Sequence, residues 1–171
     1  MSERNIEYST TGYNESVKFS VIMPVHNPNL QYFHEAIQSV LNQKYLNFEL
    51  IIVDDYSNTK SVEECARSYS DEYEFIRFYR NSKHLNISNT LNFGISKSKG
   101  HWICFLDQDD LFHENALLAA FHAISSNEDI EVVYTDEDKI DEDGNRYEPN
   151  FKPSINQGLL LSQNYICHLL L

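Results

Sequence analysis

From Phe19 onward, short apolar runs alternate with stretches in which apolar residues recur every three or four positions. That alternation predicts strand followed by helix, repeated around a mostly parallel sheet, which is an α/β fold. The run from Phe19 to Val25 reads as a strand buried on both faces. Asn27-Pro28-Asn29 then supplies helix-start chemistry, and Leu30, Phe33, Ile37, Val40 and Leu41 fall on one helical face. A second strand, Phe48 to Val53, runs into Asp54-Asp55-Tyr56-Ser57-Asn58 and then a polar helix with Val62, Cys65 and Ala66 inward. Phe75 to Tyr79 is a third strand. The loop Asn81 to Asn86 leads into a helix with Ile87, Leu91 and Ile95 inward, stopped by Lys97, Lys99 and Gly100. His101 to Leu106 is a fourth strand, and Leu111 to Ser126 a helix burying Ala116, Leu117, Ala120, Phe121 and Ile124. Ile130 to Tyr134 reads as a fifth strand. Asp141 to Asn145 has turn chemistry with Gly144 at positive φ, a short helix follows Phe151-Lys152-Pro153, and Tyr165 to Leu171 reads as a last strand.

Composition narrows the class. A chain of 171 residues, 42% hydrophobic and 13% aromatic, suffices for one domain with a packed core. Residues 1–16 are polar, lack the apolar centre of a signal peptide and predict a loosely held tail, with the domain spanning 17–171. No run reaches membrane-spanning length. A formal charge of −13 argues against a nucleic-acid partner, because backbone phosphates would meet net repulsion. A nucleotide ligand stays open, since a divalent cation inverts the charge a phosphate meets locally. Cys65, Cys104 and Cys167 are odd in number and widely spaced, which suggests neither a disulfide framework nor a zinc site and fits a cytoplasmic setting.

The chemical signal is acidic. Three predicted strands end in carboxylates: Asp54-Asp55, Asp107-Gln108-Asp109-Asp110 and Asp136-Glu137-Asp138. Open parallel sheets bind ligands outside the carboxyl ends of their strands. Converging carboxylates call for an offsetting cation, and hard oxygen ligands suit Mg²⁺ or Mn²⁺. The plainer reading is that such acids are solvated loop residues or helix caps, Asp110 capping the helix after it and Asp136 to Asp143 forming turns. Asp107 and Asp109 stand apart, because they alternate around one residue directly after an apolar strand and so point the same way. A haloacid-dehalogenase-like phosphohydrolase also uses two aspartates spaced by one residue. Its pattern sits on the first strand, with Thr or Val where this chain has Leu111.

Taken together, Ser20-Val21-Ile22-Met23-Pro24-Val25-His26-Asn27, Leu50-Ile51-Ile52-Val53-Asp54-Asp55-Tyr56-Ser57, Asn92-Phe93-Gly94-Ile95 and Phe105-Leu106-Asp107-Gln108-Asp109-Asp110 resemble the inverting glycosyltransferases of GT-A fold, typified by bacterial polysaccharide and lipopolysaccharide transferases. Tyr134 to Asp141, Phe151-Lys152-Pro153 and Asn164-Tyr165-Ile166-Cys167-His168 are similar to one bacterial branch. The resemblance implies that Pro24 and Val25 line a nucleobase pocket and that Asp55 accepts a hydrogen bond from the base, supported by Asp54 and Ser57. A carboxylate there favours the imide N–H of uracil or thymine over the ring acceptor of cytosine. It also implies Asp107, with Gln108 beside it, near the ribose and metal, Asp109 as main metal ligand, and Asp136, Glu137 and Asp138 beside the sugar and acceptor. His168 matches a late histidine near the metal or diphosphate in some relatives, although a histidine in a strand is as readily structural.

The implied partners are a nucleotide-diphosphate sugar, a UDP- or dTDP-sugar by the base argument, and a glycan or lipid-linked acceptor, with peripheral association at the inner membrane face. Two departures stand out. His84-Leu85-Asn86 replaces the Asn-x-Gly of many relatives, and asparagine tolerates the left-handed backbone a glycine would adopt. The general base of the family comes from an acidic motif beyond the strand resembling Tyr165 to Leu171, so a C-terminally truncated domain is expected, with no catalytic residue assigned. A sugar-nucleotide-binding domain without catalysis is the alternative.

Overall fold

The computed structural model describes residues 18–127, 129–167 and 169–171. Strands β1 (Phe19–Val25), β2 (Phe48–Asp54), β3 (Ile76–Arg80) and β4 (Trp102–Phe105) form a parallel sheet in the order β3-β2-β1-β4. Helices α1 (Leu30–Leu41), α2 (Lys60–Glu72) and α3 (Asn86–Lys97) connect them, and α4 (Ala116–Ser126) follows β4. The α/β architecture expected from the alternating pattern is therefore present.

Every residue of β1 and β2 is buried, as their unbroken runs require of strands covered on both faces. In register, Val21 lies beside Leu50 and Met23 beside Ile52. These side chains join Phe33, Ile37 and Val40 of α1 with Leu117 and Phe121 of α4 in one core. The opposite face carries Ile22 and Val53 under α3, where Gly94 allows close approach: a Cβ there would stand 2.5 Å from Ile22 Cγ2. Helix α3 thus presents Thr90 and Gly94 to the sheet, while Ile87 and Ile95 are exposed. This corrects the inward stripe expected at Ile87, Leu91 and Ile95. The contact to the sheet runs along the small ridge one position earlier, because a helix that must lie close has no room for the longer Ile and Leu side chains.

Helix α4 begins at Ala116 rather than Leu111, so Asp110 does not cap it. Gln43, buried at the end of α1, performs that task from a distance: its Oε1 accepts from Leu117 N at 3.0 Å and its Nε2 donates to His113 O at 2.8 Å. The helix start expected at Asn27-Pro28-Asn29 holds, with Asn29 Oδ1 accepting from Gln31 N at 2.9 Å.

Past α4 the pattern misled. The strand expected at Ile130 to Tyr134 is reduced to an isolated antiparallel bridge between Tyr134 and Leu170, with Val133 and Leu171 exchanging hydrogen bonds beside it. Tyr165 to Leu171 likewise forms no strand beyond that bridge among the described residues. The strands here are β5 (Glu137–Ile140) and β6 (Arg146–Asn150), an antiparallel hairpin closed by Asp141 to Asn145, and α5 (Gln157–Ser162) comes after it. The hairpin is exposed along most of both strands, so no apolar alternation announced it. Its turn behaves as read: Gly144 has φ +83°, and Asp141 Oδ1 accepts from the N–H groups of Asp143 and Asn145. The tail expected at residues 1–16 lies outside the described residues, and no helix among those described is long and apolar enough to cross a membrane.

At the amino ends of the strands a buried charge ties the layers together. Glu49 of β2 accepts from Ser20 Oγ at 2.6 Å and Lys99 N at 2.5 Å, and pairs with Arg77 at 2.5 Å. Arg77 also donates to Lys97 O at 2.6 Å, and Ser20 Oγ accepts from Gly100 N at 2.8 Å. Burial pushes the Glu49 carboxyl up, but the bonds from Ser20 and Lys99 and the charges of Arg77 and Lys18 outweigh it and hold it below the usual range. A carboxyl lowered by folding stabilises the native state at neutral pH, and that contribution is lost as pH falls through its folded value. Glu49→Gln is expected to cost about 2–3 kcal/mol in urea unfolding at neutral pH. The difference from the parent should shrink as the medium is acidified below about pH 4.

Candidate functional site

Strand order reverses beside β1, which continues to β2 on one side and pairs with β4 on the other. The loops leaving β1 and β4 diverge there, and a cavity of about 370 Å³ opens at the carboxyl ends of the strands. Pro24, Val25 and His26 line it from β1, Asp55 from β2, and Asp107, Gln108 and Asp109 from β4. His84, Asn86, Ile87 and Thr90 close it from the loop before α3 and that helix's first turns. The volume lies in the range of small-molecule sites.

Consecutive acids at the end of β2 are turned to opposite sides. Asp54 is fully buried behind the cavity, ion-paired with Arg80, and its Oδ1 accepts from Ser57 N at 2.9 Å. Arg80 donates as well to Ser57 O at 2.8 Å and lies 5.5 Å from the Tyr56 ring centroid. This clamp holds Tyr56 in left-handed backbone at φ +65°. Ser57 Oγ then accepts from Asn27 N at 2.9 Å, tying the β2 loop to the β1 loop. Gln108 performs the same service across the gap to β4, its Oε1 accepting from His26 N at 2.8 Å.

Asp55 faces the cavity. Its Oδ1 accepts from Asn81 Nδ2 and from Leu85 N, both at 2.8 Å, and its Oδ2 lies 2.9 Å from His84 Nδ1. Burial pushes this carboxyl up, yet the bonds from Asn81, Leu85 and Thr90 and the charge of His84 prevail and hold it below the usual carboxylate range. It is an ionised, oriented acceptor at neutral pH.

Residues 20–168 match Glycosyl transferase family 2. The chain belongs to that family. A Sinorhizobium fredii protein named "Uncharacterized protein y4gI" is 38% identical over 150 residues, 88% of this chain and 16% of that one. The O-antigen biosynthesis protein RfbC of Myxococcus xanthus is 30% identical over 151 residues, 88% of this chain and 12% of that one. The chain therefore spans less than a fifth of the length of these two relatives. The crystal structure of Staphylococcus aureus TarS 1-349 in complex with UDP-GlcNAc superposes with a TM-score of 0.63 at 23% identity, over 69% of this chain and 34% of that one, which shows the shared GT-A fold. Family membership removes the phosphohydrolase alternative.

Within this family 2 domain the structure brings together two of the three acidic groups. Asp55, Asp107 and Asp109 share the cavity with Pro24, Val25 and Gln108, whereas Asp54 and Ser57 stand behind it as supports. Asp136, Glu137 and Asp138 do not line it; they are engaged in and beside the hairpin. Asp136 Oδ1 accepts from Lys152 N at 2.8 Å, Glu137 pairs with Lys152 Nζ at 2.8 Å, and Asp138 with Arg146 at 3.1 Å. His168 lies outside the described residues. The cavity also uses Thr90 and Asn86, and its key carboxylate uses Asn81. Their signal was present in the ridge Asn86, Thr90, Gly94, whose steps of four residues mark one helix face with polar or small side chains.

As a carboxylate set, Asp107 and Asp109 fit a hard divalent cation. No group of three or more acidic, histidine or cysteine side chains poised for a metal occurs among the described residues.

Asn86 adopts φ +65°, the left-handed backbone that asparagine tolerates better than other non-glycine residues. Asn86→Gly should leave thermal stability unchanged or raised. Asn86→Val, which strains that backbone, should cost about 1–2 kcal/mol by denaturant unfolding.

Proposed function

We propose that the domain binds a nucleotide-diphosphate sugar together with Mn²⁺ or Mg²⁺, with uracil or thymine as base. In the protein it belongs to, the sugar passes with inversion to a glycan or lipid-linked acceptor. One observation carries the reading: the cavity presents three carboxylates, Asp55, Asp107 and Asp109, and no Lys or Arg among its lining residues. A diphosphate entering it alone would be repelled, so a cation must accompany it.

Each residue then has a physical task. Pro24 and Val25 give the base an apolar wall, and Asp55 accepts its imide N–H. Asp107 and Asp109 would hold the ion, which when bound would neutralise the diphosphate and stabilise the charge left on it as the sugar departs. Gln108 keeps the β1 and β4 loops at a fixed separation through His26. The UDP-GlcNAc named with TarS supports a uracil nucleotide, and the name of RfbC supports a glycan product.

Calorimetry with UDP tests this. Binding should require Mn²⁺ or Mg²⁺ and should weaken about 10- to 100-fold in Asp55→Asn and in Asp109→Asn, the range for losing a charge-assisted contact. CDP should bind more weakly than UDP to the parent. UDP affinity indifferent to both the cation and Asp109→Asn would overturn the proposal.

A further inference from the structure

The base site is already occupied by a side chain. Asp55 Oδ1 accepts from Asn81 and Leu85, and His84 Nδ1 sits on Oδ2 at 2.9 Å. The same nitrogen is 3.3 Å from the Asp55 backbone oxygen. Both neighbours are acceptors, so His84 Nδ1 carries its proton and donates.

The His84 ring also lies against His26, with centroids 4.4 Å apart and planes inclined at 40°. His26 is locked by a relay. Asn58 N donates to Asn27 Oδ1 at 2.8 Å, which fixes the amide so that Asn27 Nδ2 faces His26 Nε2 at 3.0 Å. His26 Nε2 must then accept, and Nδ1 carries the proton that it donates to Asp55 O at 2.9 Å. His26 is thus a fixed, neutral plate. His84, whose side chain is 48% exposed, is the ring free to move. A base cannot enter between them, since stacking needs about 3.5 Å on each side.

We propose that His84 sets the affinity of the base site by standing in for the nucleobase in the free domain. It occupies the place an imide base would take, with an N–H on Asp55 Oδ2 and its ring leaning on His26, and it swings outward when the nucleotide enters. The nucleotide's affinity is reduced by whatever free energy this internal contact supplies. The inference rests on the assignment of Asp55 as the base acceptor.

Calorimetry with UDP and Mn²⁺ on the parent, His84→Ala and Asp55→Asn separates the possibilities. His84→Ala should bind UDP about five-fold more tightly, the equivalent of one competing hydrogen bond. In the parent, deuterium exchange at the His84 ring carbon should quicken on adding UDP, because the ring moves into solvent. That second measurement stands even if the variant folds poorly. Weaker or unchanged affinity in His84→Ala, or slower exchange in the parent, would overturn the displacement and make His84 a direct contact or a bystander, while leaving the nucleotide site intact. Failure of both parent and His84→Ala to bind UDP, or undiminished binding in Asp55→Asn, would instead remove the assignment of Asp55 on which the inference stands.

Discussion

The geometry of the cavity depends on an ion pair between a buried carboxylate and a partly exposed guanidinium, neither of which lines it. Asp54 ends β2 with its side chain inside the protein and Arg80 against it. Because successive side chains at a strand end point to opposite sides, fixing Asp54 on the far side turns Asp55, itself buried, toward the cavity. Arg80 reaches the end of β3, the Ser57 carbonyl and the Tyr56 ring together, so one guanidinium holds the whole turn. Removing Arg80 would cost about 3–5 kcal/mol, since the buried Asp54 carboxylate is then left uncompensated. That energy also holds Tyr56 in a backbone region costing a non-glycine residue about 1–2 kcal/mol.

From this clamp the loops are connected outward in sequence. Ser57 holds the β1 loop through Asn27, and Gln108 holds the β1 loop from the β4 side through His26. Asn27, Tyr56 and Asn86 all have positive φ, and each stands in a segment around the cavity. Strain of this kind persists only where surrounding contacts over-determine it, and here the contacts are the hydrogen bonds that aim Asp55. The polar side chains behind the cavity thus serve the orientation of a single carboxylate.

Legibility in the sequence followed burial. Strands β1 and β2, covered on both faces, announced themselves as unbroken apolar runs, and with them the positions of Asp54 and Asp55. The division of labour between those two acids was less visible, because Arg80, which draws Asp54 inward, is 26 residues distant. Asp107 and Asp109 were legible from their alternation after β4. Asp136 to Asp138 also followed a predicted strand, but Glu137 and Asp138 stand in an exposed hairpin and pair with Lys152 and Arg146. Short apolar runs such as Ile130 to Tyr134 cannot declare whether a sheet has room for them. Helix α3 was misread by choosing its bulkiest ridge, when closeness to Ile22 favoured its smallest.

That choice of ridge links the two ends of the sheet. Gly94 lets α3 settle on Ile22, and the Glu49 network fixes the far end of the helix through the Lys97 carbonyl and Lys99 N–H. Held at its middle and its carboxyl end, the helix is tied at its amino end to the Asp55 cluster, through Leu85 N just before it and through Thr90. The loop carrying His84 enters α3 at that end. The side chain proposed to leave its carboxylate when a ligand arrives sits on that loop, outside the helix. The rest of α3 stays seated on the sheet while that exchange takes place.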